Sequence, residues 1–173
     1  MLILSKDLTN KKVLSLRTNS PIASVIDYIV NPNNLSVVGF YCQDRFDKKS
    51  QLVLLAQDIR DTLAVGYIVN DHDVLTEIED LVRLQDIIKL AFNPIGKQVE
   101  TVSGQKVGKV SEFATDIKSL FIQKLYITQP LYKNFNGGNL VVDRGQINEI
   151  TPKRIIINDL LGTVPAQAKA SII

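Results

Sequence analysis

Apolar residues come along this chain in short bursts that mostly alternate with polar positions, and Gly, Pro, Asn, Asp or Ser break in after each burst. A period of two carried by Val, Ile, Leu, Tyr and Phe predicts short strands with one buried face. Strands are expected at residues 13–17, 22–30, 35–42, 52–55, 59–63 and 66–69. A second set is expected at residues 97–102, 107–115, 120–128, 139–142, 147–150 and 154–157. The alternation slips where Ile22 and Val25, and likewise Val107 and Val110, stand three apart. An extra residue that breaks the pleat in this way predicts a β-bulge at the same place in both sets. One stretch follows a helical period instead. Ile78, Leu81, Leu84, Ile88 and Ala91 recur on one face, Thr76 and Glu79 have capping-box spacing, and Asn93-Pro94 stops the run.

The two sets of strands are copies of one another. Asn10-Lys11-Lys12-Val13 aligns with Gly96-Lys97-Gln98-Val99, and Ile22-Ala23-Ser24-Val25 with Val107-Gly108-Lys109-Val110. Asp27-Tyr28 falls on Glu112-Phe113, Tyr41 on Tyr126, and Leu52-Val53-Leu54 on Leu140-Val141-Val142. Tyr67-Ile68-Val69-Asn70-Asp71 falls on Ile155-Ile156-Ile157-Asn158-Asp159. The offset moves from 86 to 85 to 88, changing only where loops are expected. The chain therefore reads as a repeat over residues 1–75, a linker helix at 76–92, a second repeat at 93–160 and an arm at 161–173. Short, bulged, turn-bounded strands at this spacing predict an all-β fold of two small closed or nearly closed barrels.

Composition narrows the function classes. The 173 residues are 45% hydrophobic and 22% charged, ordinary values for a globular protein. No apolar run is long enough for a membrane helix, and residues 1–7 lack the basic start and apolar length of a signal peptide. The lone Cys42 excludes an internal disulfide and fits a reducing cytoplasm. Net charge is +2, unevenly placed. Residues 1–85 carry 9 Lys/Arg against 11 Asp/Glu, or −2, whereas residues 86–173 carry 11 against 7, or +4. The total lies below the basic excess of a dedicated nucleic-acid binder, while the +4 half leaves an RNA contact open.

The second repeat holds a line of short motifs: Gly96-Lys97-Gln98-Val99, then Gly108-Lys109-Val110, Glu112-Phe113 and Asp116. That line resembles the PRC-barrel family. The first repeat has Asn10, Ala23 and Asn31 in place of the two glycines and the aspartate. With both copies counted, nearly the whole chain resembles a free-standing prokaryotic tandem PRC-barrel protein. The resemblance implies two six-stranded barrels, here joined by a short helix and used as interaction modules, without catalytic residues or a cofactor. Similar barrels occur in the H subunit of photosynthetic reaction centres and in ribosome maturation factors. Those factors pair one such barrel with a different one, whereas the two units here look alike.

Side chains that could carry chemistry are few. His72 is the single histidine, so neither a Ser-His-Asp triad nor a multi-histidine metal site can be assembled. The run Asn70-Asp71 before it recurs as Asn158-Asp159, which reads as turn chemistry rather than a cation site. Cys42 aligns with Ile127 and reads as a small core hydrophobe. Gly137-Gly138 reads as a hairpin tip. No enzyme activity, metal, cofactor or small-molecule substrate is expected.

Two matched loops stand out. One presents Phe46, Lys48 and Lys49, and the other Tyr132, Lys133 and Phe135. Aromatics among cations suit a protein hot spot or stacking on unpaired bases. The expected function is a non-enzymatic adaptor that binds another protein or a second copy of itself. The alternative is an RNA-associated factor in ribosome maturation or RNA metabolism. Its contacts would be Lys106, Lys109, Lys118 and Lys124, on or beside two consecutive strands of the second repeat.

Overall fold

The structure, a computed structural model, describes residues 1–129 and 140–159. The first repeat contributes β2 (Lys12–Ser15), β3 (Ser20–Asn31), β4 (Ser36–Asp44), β5 (Gln51–Leu55), β6 (Asp61–Leu63) and β7 (Gly66–Val69). The second contributes β9 (Gln98–Thr101), β10 (Lys106–Asp116), β11 (Ile122–Thr128), β12 (Leu140–Asp143), β13 (Ile147–Ile150) and β14 (Arg154–Ile157). All twelve expected strands form, and two unexpected ones join them: β1 (Leu2–Leu4) and β8 (Leu75–Glu77). The fold is all-β, in two sheets. One runs β6-β7-β2-β3-β4-β5-β8; the other runs β13-β14-β9-β10-β11-β12, with β1 added on β10. β2 pairs parallel with β7, and β9 with β14, so the two copies share one strand order and one pairing sense. Neither hydrogen-bonded path closes into a ring among the described residues.

The expected bulges are present. Val13 faces Ala23 and Leu14 faces Pro21, so Ile22 is passed over; Val99 faces Gly108 and Glu100 faces Lys106, so Val107 is passed over. Both extra side chains turn into the core. Two further irregularities also recur, at Ile26 and Ser111 and at Val38 and Gln123. Bulges bend a strand and raise its twist, which lets β3 and β10 wrap around a core instead of lying flat. Matched positions fill that core. Val13/Val99, Val25/Val110, Phe40/Leu125, Cys42/Ile127, Leu54/Val142 and Tyr67/Ile155 are all at most 2% exposed. In the first copy the rings of Phe40 and Tyr67 lie 4.7 Å apart, and the Tyr67 hydroxyl donates to the Leu8 carbonyl at 3.0 Å. Aliphatic side chains do the same filling in the second copy, and one continuous buried cluster includes both.

The linker departs from its expected helix over residues 76–92. Thr76 does not cap a helix; it pairs with Val53 inside β8, satisfying the open edge of β5. An unpaired strand edge and a β-branched residue together favour strand over helix there. Two 3-10 turns follow, Ile78–Asp80 and Val82–Leu84, before a six-residue helix, α1 (Gln85–Leu90), which ends on Ala91 at φ 43°. Most of the apolar face read from the sequence is still used, with Ile87 joining it and Ala91 left exposed. Leu81, Ile78, Leu84, Ile87 and Ile88 pack against Ile29 and Val53.

The copies meet about a pseudo-twofold axis. Ser36 and Phe121, which are matched residues, form an antiparallel bridge. The Val37 amide donates to the Leu120 carbonyl at 2.9 Å, and the Ile122 amide donates to the Leu35 carbonyl at 2.8 Å. Tyr28 and Phe113, also matched, meet edge to face at 5.5 Å. Leu35 and Leu120 both take left-handed backbone, φ 47° and 55°, which costs an L-residue about 1–2 kcal/mol. Their burial and the two crossed hydrogen bonds offset that strain. Residues 2–5 lie against the sheet of the second repeat. β1 pairs with Ala114–Asp116 of the second sheet, and the Ser5 amide donates to Glu112 at 3.1 Å. No helix among the described residues is long and apolar enough to cross a membrane.

Candidate functional site

The motif residues of the repeat are occupied with architecture. Asn10 and Gly96 both sit at positive φ, 59° and 83°, where only glycine or a short polar side chain is comfortable. Lys11 and Lys97 follow them. The Lys11 ammonium donates to the carbonyls of Leu63 and Ala64, and that of Lys97 to Pro152, so each lysine ties down the hairpin turn of its own copy. Asp27 and Glu112 each accept from the next backbone amide, at 2.8 Å in both cases. Asn31 and Asp116 close Asx turns, and the amide of Ser119, its hydroxyl and the chain's terminal amine hold Asp116 down at a pKa of about 2. Asp71 accepts from Ser15, and Asp159 from Ser103, so in each copy the shared aspartate ties the ends of the two parallel-paired strands together. Burial pushes the Cys42 thiol up to about 12, so it sits in the core as a neutral side chain.

The first of the two singled-out loops is firmly built. Asp44 is nearly buried. Burial alone would raise its pKa, but the Phe46 amide at 3.1 Å and His72 Nε2 at 3.1 Å outweigh it and hold the carboxyl below its ordinary value. The Arg45 guanidinium donates to the Pro21 carbonyl at 2.8 Å, and the Gln43 amide donates to the Lys48 and Ser50 carbonyls. Asp47 accepts the Lys49 amide at 3.0 Å. On this frame Phe46 is 71% exposed, its ring edge-on to His72 at 5.5 Å. Lys48 and Lys49 are exposed beside it. Tyr132, Lys133, Phe135 and the Gly137-Gly138 tip lie outside the described residues.

The four lysines read as RNA contacts do not gather into one patch. Lys106 and Lys109 lie at the start of β10, Lys109 opposite Thr128. Lys124 faces Ala114, five residues along the same strand and so roughly 17 Å away at strand rise. Its ammonium is bonded to Asp143 at 2.5 Å, and that carboxylate raises its pKa. Lys118 is exposed in the turn beyond Asp116.

A feature the sequence reading passed over lies at the junction. Arg144, the first residue of the 3-10 turn after β12, donates to the carbonyls of Asn34 at 2.6 Å, Leu35 at 3.2 Å and Ile122 at 3.2 Å. Its guanidinium also lies 5.0 Å from the Phe121 ring centroid. This one side chain thus stitches three elements together across the pseudo-axis. On the other side a cavity of about 630 Å³ opens between the repeats, lined by Val37, Leu55, Ala56, Leu81, Ser119 and Phe121 among others. The repeat alignment carried the signal, since Arg144 falls on Ala56. No family model matches the chain, and no curated protein matches it.

Proposed function

We propose that this chain is a non-enzymatic cytoplasmic interaction module. It binds another protein, or a second copy of itself, through the surfaces of two PRC-type six-stranded barrels. The observation that carries the reading is Phe46, a large exposed ring on a loop whose backbone and neighbours are fixed by hydrogen bonds. A preorganised aromatic loses little conformational freedom on association and buries a large apolar area, which is how hot-spot anchors work. The duplicated strand order, bulges and motif positions support the PRC-type reading of each unit. The test is affinity capture from native lysate, with and without nuclease, using the wild type and Phe46→Ala. Proteins retained by the wild type after nuclease and lost by the variant support the reading; identical sets sink it.

The +4 charge of residues 86–173, with Lys109 and Lys118 exposed, favours a second reading as an RNA-associated factor. A gel-shift titration against bulk cellular RNA at physiological salt separates the two. Binding whose salt slope flattens when Lys106, Lys109, Lys118 and Lys124 become Gln supports RNA, because the slope counts neutralised phosphates. No shift at micromolar protein retires it.

A further inference from the structure

The pseudo-axis relates Arg144 to Ala56, each the first residue of the 3-10 turn that leaves its hairpin. Strand register fixes the match, because Asp143 faces Lys124 just as Leu55 faces Gly39. On the Arg144 side, a guanidinium bridges the copies by donating to three carbonyls, with a smaller pocket of about 460 Å³ left beside it between Asn34, Leu35 and Arg144. The matched carbonyls on the Ala56 side belong to Ser119, Leu120 and Val37, and two of those three residues line the open cavity. The carbonyl set of this guanidinium seat is present twice and filled once from the chain itself; the ring differs, since Phe121 has Ser36 as its match and reaches the second seat as a cavity-lining residue.

We propose that the cavity beside Ala56 binds an arginine side chain presented by a partner protein. Its guanidinium donates to the carbonyls of Val37 and Ser119. Its stem and an apolar neighbour pack on Leu55, Leu81 and Phe121. Carbonyl oxygens only accept hydrogen bonds, and a planar fork reaches several at once while lying against a ring, which a lysine ammonium does not match. Asp80 and Arg83 at the lining are exposed and opposite in sign, so neither sets the sign of the site, and the fixed carbonyl dipoles do. A volume of about 630 Å³ is in the range that takes a drug-sized ligand, more than one arginine needs, so a flanking residue enters with it. Val82, 79% exposed at the rim, gives that residue an apolar contact. Arg83, this chain's own guanidinium at the cavity, stays exposed instead of taking the seat. The site stands apart from the Phe46 loop, so either can fail alone.

The test uses the full chain and the capped peptide Gly-Leu-Arg-Leu-Gly, with its lysine and citrulline counterparts, followed by amide NMR shifts. Citrulline keeps the planar shape and removes the charge. The arginine peptide should shift the amides of Val37, Leu55 and Phe121 saturably and bind at least tenfold more tightly than the other two. Ala56→Arg, which supplies the guanidinium from the chain itself, should abolish those shifts. Because that variant can fail to fold, the wild type is also read by intermolecular NOEs between the arginine Hδ protons and the Phe121 ring. Equal affinity for the citrulline peptide, no NOE at saturation, no saturable shift at millimolar peptide, or undiminished binding by folded Ala56→Arg would each overturn the proposal.

Discussion

In the first repeat Ala23 stands where the second has Gly108, Phe40 and Tyr67 stand where it has Leu125 and Ile155, and Ala56 stands where it has Arg144. The four exchanges fall at three places, and they differ in kind. At the core pair, large rings in one copy and aliphatics in the other fill equivalent space, and strand order and register survive unchanged. Cores tolerate such repacking when volume is made up elsewhere. At the bulge, the two copies differ by a single methyl group yet sit in different surroundings. At the junction the exchange is not compensated, and a cavity remains. Duplication therefore preserves the backbone pattern more strictly than side-chain volume, and an uncompensated difference marks the place where the halves have parted.

The largest expected effect tests whether the copies share one core. Phe40→Ala should cost about 3–5 kcal/mol and Leu125→Ala about 2–5 kcal/mol, from lost burial and the cavity left behind. Since a single buried cluster contains both residues, each variant should move the same denaturant transition. Two transitions, each moved by one variant only, would break the shared-core picture.

A smaller effect sharpens the contrast at the bulge. A Cβ on Gly108 would meet the Thr128 carbonyl oxygen at 2.2 Å and Ile127 Cγ2 at 2.9 Å. Gly108→Ala should therefore destabilise by about 1–3 kcal/mol through overpacking. The matched Ala23→Gly change creates no clash and should cost only about 0.5–1 kcal/mol through backbone entropy. Equal melting shifts for the two would mean that the bulges pack alike after all.

Much of this was legible from residues alone, for reasons the structure makes plain. A period of two with a three-residue slip is a local signature, so the strands and the bulges at Ile22 and Val107 could be read directly. Asn10 against Gly96 looked like a departure from the motif, yet both satisfy one left-handed position, as do Asn19 and Gly104. What could not be read depends on partners distant in sequence. Thr76 and Glu79 carry capping-box spacing, but the open edge of β5 claims the segment first. Likewise β1 lies in residues too few to show a period, and its place on β10 is set by the meeting of the two copies. Arg144 is an ordinary loop arginine until the pseudo-axis brings the Asn34 and Leu35 carbonyls to it. The loop cation and aromatic pattern drew attention to Phe46, which is exposed, whereas Lys106, Lys109 and Lys124 are spread along two strands and Lys118 lies in the turn beyond Asp116.

Acid should erode both copies together. Asp116 and Asp159 lie below the ordinary carboxyl range chiefly through bonds from Ser119 and Ser103, and Asp71 through the His72 amide. Asp44 is held low against its burial by the Phe46 amide and His72. A folded-state pKa below the unfolded one gives stability that is fully present above the unfolded value. It is lost as pH falls through the folded value. The loss should begin below about 4, the unfolded carboxyl range, and continue toward about 2, where Asp116 titrates. Asp116→Asn should flatten the lower end of that profile in thermal melts followed from pH 5 to pH 2. An unchanged slope would mean the Asx turn gains nothing from the charge.

A further small effect is the most specific. Thr115 is fully buried in β10, and its hydroxyl is the one buried side-chain polar atom among the described residues with no hydrogen-bond partner. Its counterpart in the first copy is Val30, equally buried and of the same shape. An unpaired hydroxyl in a core costs its desolvation, about 1–3 kcal/mol, with nothing returned. Thr115→Val copies the first repeat's solution into the second and should raise stability by about 1 kcal/mol, while Val30→Thr should lower it by a similar amount. Both are read as shifts of the denaturant midpoint at unchanged slope. A destabilised Thr115→Val would mean that the hydroxyl has a partner in the folded protein, and that the two copies differ at this position because the second one uses it.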